Sequence, residues 1–291
     1  MNKHICVFGE VLFDHFPSGE RVLGGAPFNV AWHLQAFAQS PLFISRIGDD
    51  AEGREIRDAM QQWDMRLDGL QLDNELATGR VDISIVDNEP SFDIVARCAY
   101  DAIAPVSADV DCRVLYHGSL ALRETVSRQA FQSLKARPLA MTFVDINLRP
   151  PWWQPDEVRQ MMYEADWVKL NADELMQISP GHLDGDTVNP AVLAEFSLKG
   201  LLLTHGSKGA EVFMDNGGHY EVRPERDIEV IDTVGAGDAF AAITLMGLSN
   251  DWEMQVTLSR AQAFASAIVG NRGATVNDPS FYAAFAEKWD T

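Results

Sequence analysis

Ile228-Glu229-Val230-Ile231-Asp232-Thr233-Val234-Gly235-Ala236-Gly237-Asp238 leads into the apolar run Ala239 to Leu248, and this stretch decides how the chain is read. Its opening leans apolar and predicts a strand, its two glycines a tight turn, and the run that follows a helix. Gly235 and Gly237 carry no Cβ, so successive backbone N–H groups can converge at the helix N-terminus. Unpaired N–H groups and the helix dipole there favour a phosphate oxygen. Asp238 lies directly in that turn, and spacing alone leaves two readings of it open. Its carboxylate either caps the helix or accepts a proton from a substrate hydroxyl while the adjoining N–H groups stabilise a transferring phosphoryl group. A Walker A loop is excluded, because the Gly-Lys-Ser/Thr ending is missing.

Outward from this stretch, short apolar runs recur, each followed by a turn signal and a segment with helical spacing. Strands are predicted over Ile5 to Phe8, Leu42 to Ile47, Val114 to His117, Met141 to Val144, Trp167 to Leu170 and Leu201 to Thr204. Helices are predicted over Asn29 to Ala38, Glu52 to Trp63, Glu124 to Lys135, Pro155 to Glu164 and Asn189 to Phe196. Such alternation is how a layered α/β domain with a parallel sheet reads. Phe13 to Leu23 and Thr78 to Cys98 break the rhythm with period-two alternation, and the second turns at Asp87-Asn88-Glu89-Pro90. Tightly turned hairpins are antiparallel, so both are expected in a small β appendage at one edge of the main sheet. No internal repeat, low-complexity tract or linker is evident.

The 291 residues are 46% hydrophobic and 23% charged, enough for a large buried core. A net charge of −20 repels phosphate backbones and argues against nucleic-acid partners. Cys6, Cys98 and Cys112 show no CxxC spacing, so neither a zinc site nor a disulfide framework is expected. The N-terminus turns polar too soon for a signal peptide, and no apolar run is long enough to span a bilayer. The expected setting is a reducing cytoplasm, without a membrane partner.

The signature Asp232-Thr233-Val234-Gly235-Ala236-Gly237-Asp238-Ala239-Phe240 resembles that of the ribokinase-like (PfkB) carbohydrate kinases, and six further segments stand in that family's order ahead of it. They are Gly9-Glu10 with Asp14, Gly24-Gly25-Ala26-Pro27-Phe28-Asn29-Val30-Ala31, and Arg46-Ile47-Gly48-Asp49-Asp50 with Gly53. Asp145-Ile146-Asn147-Leu148-Arg149 with Trp152, Asn171-Ala172-Asp173-Glu174-Leu175, and Thr204-His205-Gly206-Ser207-Lys208-Gly209 complete the series. The resemblance implies a single kinase domain over residues 1–291, a three-layer α/β/α fold with a mainly parallel central sheet, and a β-strand lid formed by about residues 11–24 and 78–98.

The resemblance also implies roles. Asp238 becomes the catalytic base, Gly235, Ala236 and Gly237 the anion hole, and Asp14, Gly25, Asn29 and Arg149 the sugar contacts. Thr204, Gly206, Asn171 and Asn271 fall to ATP. Asn171 and Glu174 hold a hydrated Mg2+, although the same pair also reads as a helix capping box. Asp232 and the Val234 carbonyl match part of a K+ site, with Gly273 nearby. The Asp-x-Asn-x-Arg stretch at Asp145 to Arg149, with Trp152, is similar to kinases of fructose and of 2-keto-3-deoxygluconate. Ser91-Phe92-Asp93-Ile94 stands where some keto-acid kinases carry a Tyr-x-x-Arg contact, and Arg97 is out of register with it. Fructose is therefore the expected substrate and fructokinases the closest pattern. A 2-keto-3-deoxygluconate kinase, ribokinase or nucleoside kinase is the alternative within the fold, and a non-catalytic sugar sensor the alternative outside it. A homodimer through the lid is a further expectation, since the Val81, Ile83, Ile85 face needs covering by the core sheet or by a second lid.

Overall fold

A computed structural model describes residues 4–86, 89–107, 109–184, 187–188, 190–224 and 230–289. In chain order the elements are β1 (Ile5–Phe8), β2 (Leu12–His15), β3 (Arg21–Gly24), α1 (Ala26–Ala36), β4 (Leu42–Gly48), α2 (Ala51–Gln62), β5 (Leu70–Asp73), β6 (Gly79–Val86) and β7 (Glu89–Ile94). There follow β8 (Val114–Gly118), α3 (Thr125–Lys135), β9 (Met141–Asp145), α4 (Pro155–Tyr163), β10 (Trp167–Asn171), α5 (Ala172–Ile178), β11 (Leu183–Asp184), β12 (Thr187–Val188) and α6 (Ala191–Phe196). The chain ends with β13 (Gly200–Thr204), β14 (Ala210–Met214), β15 (His219–Val222), α7 (Ala236–Ser249), α8 (Met254–Ile268) and α9 (Pro279–Trp289).

Nine strands form the main sheet in the order β15-β14-β13-β10-β9-β8-β1-β4-β5. Every pairing from β13 to β5 is parallel, and the β13·β14 and β14·β15 pairings are antiparallel, so β14 alone among these strands runs against the rest. The two-residue period of each strand sends its side chains alternately to the two faces of the sheet. Val7, Phe43, Tyr116, Phe143, Trp167 and Leu202 join the core packed by α1, α2, α7, α8 and α9. Cys6, Phe8, Ile44 and Leu115 face α3, and Val144, Val168, Leu170, Leu201 and Leu203 face α4, α5 and α6. A sheet covered on both faces gives the three-layer α/β/α architecture of ribokinase-like kinases.

Both segments with strand alternation enter a second, four-stranded sheet in the order β3-β2-β6-β7. Its two hairpins are antiparallel, but they join through a parallel β2·β6 pairing, Leu12 opposite Gly79 through His15 opposite Asp82. Val81 and Ile83 are buried in the same core as Leu12, Tyr100 and Leu120, so the chain itself covers that part of the face. The Ile85 side chain and the turn residues Asp87 and Asn88 lie outside the described residues.

One expected strand is corrected. Val230 and Ile231 are not in a sheet and are 60% and 61% exposed, while Ile228 and Glu229 lie outside the described residues. The N–H groups of Ile231 and Asp232 both donate to the Val269 carbonyl after α8, so this segment caps a helix end instead of pairing with a strand.

Candidate active site

α7 is apolar nearly all round, and Ala239 to Gly247 are buried, which fixes its N-terminus against the main sheet. Gly235 is the N-cap residue with φ +79°, a conformation that L side chains avoid, and a Cβ there would lie 2.4 Å from Ala274 Cα. No side chain caps this end; Ala236 N donates to the Thr233 carbonyl at 3.4 Å, and the N–H groups of Gly237 and Asp238 are left for a ligand. The Asp232 carboxylate holds the turn together by accepting from Val234 N and Gly273 N, each at 3.0 Å. Gly273 thereby comes beside Asp232 and Val234.

Asp238 does not cap its own helix. Its Oδ2 accepts from Asn29 Nδ2 of α1 at 2.7 Å. Burial pushes its carboxyl up to about 6, with Asp145 adding to the rise and the Asn29 amide, Lys169 and Arg149 opposing it. A carboxyl poised there can take up a proton near neutrality. Asn29 is 4% exposed, and its Oδ1 has no partner. Gly25, the N-cap of α1, has φ +108°, and a Cβ there would meet the Glu10 carbonyl at 2.7 Å. Only glycine brings the backbone of α1 this close to the segment after β1.

Asp14, on β2, is half-buried, and its carboxyl is raised by burial and lowered by Arg149. The exposed Arg149 guanidinium is thus felt at Asp14 and Asp238, and also at Glu10. Glu10 was missed as a site residue in its own right. It is 5% exposed, its Oε2 has no partner, and burial together with Asp238 pushes it up to about 7 against Arg149 and Arg123. A lone acid inside the run from Val7 to Phe13 was the available signal, since a carboxylate is rarely buried without use.

Asp145 is the last residue of β9, the strand end where it was expected. Its buried carboxylate accepts from Lys169 Nζ at 2.6 Å and from Tyr116 Oη at 2.9 Å. Asn171 and Glu174 form a reciprocal capping box at α5: Glu174 N donates to Asn171 Oδ1 and Asn171 N to Glu174 Oε2, both at 2.9 Å. Glu174 Oε1 also accepts from Leu148 N at 3.0 Å. Both carboxylate oxygens are engaged, which suits contact with a metal through its water shell better than direct ligation. Among the described residues no three His, Cys, Asp or Glu side chains converge as a metal cage, and a hydrated ion needs none.

Thr204 ends β13, and Gly206, with φ +56°, opens the exposed turn after it. A hollow of ≈ 460 Å³ lies beside this turn, lined by His205, Ser207, Lys208, Glu221, Arg223 and Pro224 among others. Asn271 turns its amide back to the Ala267 carbonyl at 2.7 Å, so its side chain is engaged with the end of α8. No helix among the described residues is long and apolar enough to cross a membrane.

Residues 3–280 match the family described as pfkB family carbohydrate kinase. The chain is 33% identical to a fructokinase from Klebsiella pneumoniae over 268 residues, 86% of this chain and 85% of that one. Its fold is similar to that of a fructokinase from Xylella fastidiosa with bound ATP, with a TM-score of 0.86, 21% identity and full coverage of both chains. It is also similar to an aminoimidazole riboside kinase from Salmonella enterica, complexed with aminoimidazole riboside and an ATP analog. There the TM-score is 0.81 and the identity 25%, over 97% of this chain and 99% of that one.

Proposed function

This chain belongs to the pfkB family of carbohydrate kinases, and we propose that it phosphorylates fructose with Asp238 as the catalytic base. It is an ATP-dependent sugar kinase. In the proposed step Asp238 takes the proton of a sugar hydroxyl as that oxygen bonds to the γ-phosphorus. The bond from the γ-phosphorus to the β–γ bridging oxygen breaks, and ADP leaves with the electron pair. The N–H groups of Gly235, Ala236 and Gly237 face the charge that gathers on the transferring group. The observation that carries the reading is the 2.7 Å contact from Asn29 Nδ2 to Asp238 Oδ2. It brings together an amide that would bind a sugar hydroxyl and a carboxylate that would take its proton, at the start of α7.

Asp14, Gly25 and Asn29 would form the sugar floor, with Arg149 at its mouth and the second sheet as its lid. Thr204 and Gly206 would take the nucleotide, with the hollow beside them as its approach. Asn271 would contribute through its backbone. Asn171 and Glu174 would hold hydrated Mg2+, which neutralises phosphate charge when bound. Asp232, Val234 and Gly273 would provide a K+ site. Phe92, opposite Ile83 in register and 61% exposed, is the outer end of the lid face left for a second lid in a homodimer. The cysteines are buried without disulfides, in keeping with a cytoplasmic enzyme.

A second reading, a riboside kinase, draws on the Salmonella enterica likeness. ADP release measured over fructose, ribose, 2-keto-3-deoxygluconate, tagatose and adenosine separates the two. Asp238→Asn is expected to keep sugar and ATP binding while turnover falls by about 100-fold or more. Near-normal turnover in that variant would overturn the assignment of the base.

A further inference from the structure

Lys169 sits in the middle of β10 and is 7% exposed. Lysine is almost never this deeply buried without a partner. Its Nζ donates to Asp145 Oδ1, the residue directly opposite it on β9, and Tyr116 of β8 occupies the other carboxylate oxygen. Three neighbouring strands thus fix one ammonium group in place. Such an ion pair contributes little net stability, because taking both charges out of water costs about as much as their attraction returns.

Its position argues for another use. A Cβ built on Gly237 would lie 3.4 Å from Lys169 Nζ, so the ammonium stands directly against the turn that opens α7. A chain of net charge −20 repels a phosphoryl group unless a local cation offsets the field. We infer that Lys169 is a positioning residue for the transfer. Its ammonium, held by Asp145 and Tyr116 against the Gly235 to Gly237 turn, supplies a fixed positive charge that orients the γ-phosphoryl group over Asp238. Preorganised charge of this kind costs no rearrangement when the bond changes occur. The inference rests on the reading of Asp238 as base and of the turn as anion hole.

At Asp238 the charges of Asp145 and Lys169 act in opposite senses. Neutralising both together therefore removes the cation at the turn without a one-sided push on the base. The test uses Lys169→Met/Asp145→Asn and Lys169→Gln/Asp145→Asn, with Asp238→Asn alongside, reading fructose turnover and thermal melting. The expected result is a folded protein whose sugar KM stays within about threefold while kcat falls about 100-fold. Wild-type kcat in a folded neutral pair would overturn the inference. So would unfolding of both neutral pairs, since the ion pair would then serve the fold. An inactive Asp238→Asn beside a neutral pair at wild-type rate sinks the role of Lys169 alone. A fully active Asp238→Asn sinks the reading of the whole site, and this inference with it.

Discussion

Asn29 in α1 and Asp238 in α7 meet side chain to side chain at 2.7 Å although 209 positions separate them. The amide donates to the carboxylate and so favours its ionised form against burial. Asn29→Ala removes that donor. The acidic limb of the kcat/KM profile for sugar is expected to move to higher pH, and the rate at neutral pH to fall at least tenfold. An acidic limb that stays in place would show that the amide does not tune this carboxyl.

The Asp238 carboxyl also bears on stability. Its ordinary value is 3.8, and in the folded chain it titrates at about 6. Between those values the folded chain binds more protons than the unfolded one, so stability falls as pH rises through this window and stays lower above it. Asp238→Asn is therefore expected to match the wild type near pH 4 and to exceed it by on the order of 2 kcal/mol above about pH 6. Urea unfolding of both proteins at three pH values checks the sign. A gain that does not depend on pH would refute it.

Arg123 ties three parts of the chain together. Nε and Nη2 bind Asp101 at 2.7 and 2.8 Å, Nη2 also donates to the Val95 carbonyl after β7, and the guanidinium lies 4.4 Å from the Trp152 ring centroid. Its side chain is 3% exposed and that of Asp101 4%. Arg123→Met leaves the buried Asp101 carboxylate without its cation and with only the Cys98 N–H, at 3.0 Å, to answer it, for an expected loss of about 3–5 kcal/mol in denaturant unfolding. A loss under about 1 kcal/mol would show that the Arg123 to Asp101 pair does not hold these segments together.

Gly25→Ala combines an unfavourable φ of +108° with a Cβ 2.7 Å from the Glu10 carbonyl. The expected cost is about 2 kcal/mol or more, with a raised KM for sugar, because α1 carries Asn29. Equilibrium unfolding and sugar titration measure the two effects separately. Wild-type values in both would contradict this geometry.

Chelation separates the metal's role from the fold. Asn171 and Glu174 cap α5 through each other's backbone, so their geometry does not depend on an ion. Excess EDTA is expected to abolish turnover while the melting temperature moves by no more than about 1 °C. A large drop in melting temperature would point to a structural metal instead.

Much of this was legible in the sequence, for identifiable reasons. A parallel sheet buried on both faces leaves unbroken apolar runs, and β1 is found at its expected Ile5 to Phe8 bounds. The start of α7 was marked by two glycines and a long apolar helix. Val230 and Ile231 misled because apolar residues at a helix end resemble a strand when no pairing partner is visible. Lys169 was hidden for a related reason. A lysine inside an apolar run is explained only by Asp145, 24 residues earlier on the adjoining strand, and strand register cannot be read from one sequence. Asn271 matched a family position, but its amide answers to the end of its own helix.

β1 lies at the interior of the main sheet, between β8 and β4. Its two neighbours are far along the chain, Cys6 pairing with Leu42 and Ile5 with Val114, and the Asn29 to Asp238 contact closes a still longer loop. Contacts of such separation cost loop-closure entropy before they return any stabilisation, so the two ends of the site come together only as the whole sheet and its helices assemble. A locally folded piece of the chain therefore holds neither that amide nor that carboxylate in working geometry.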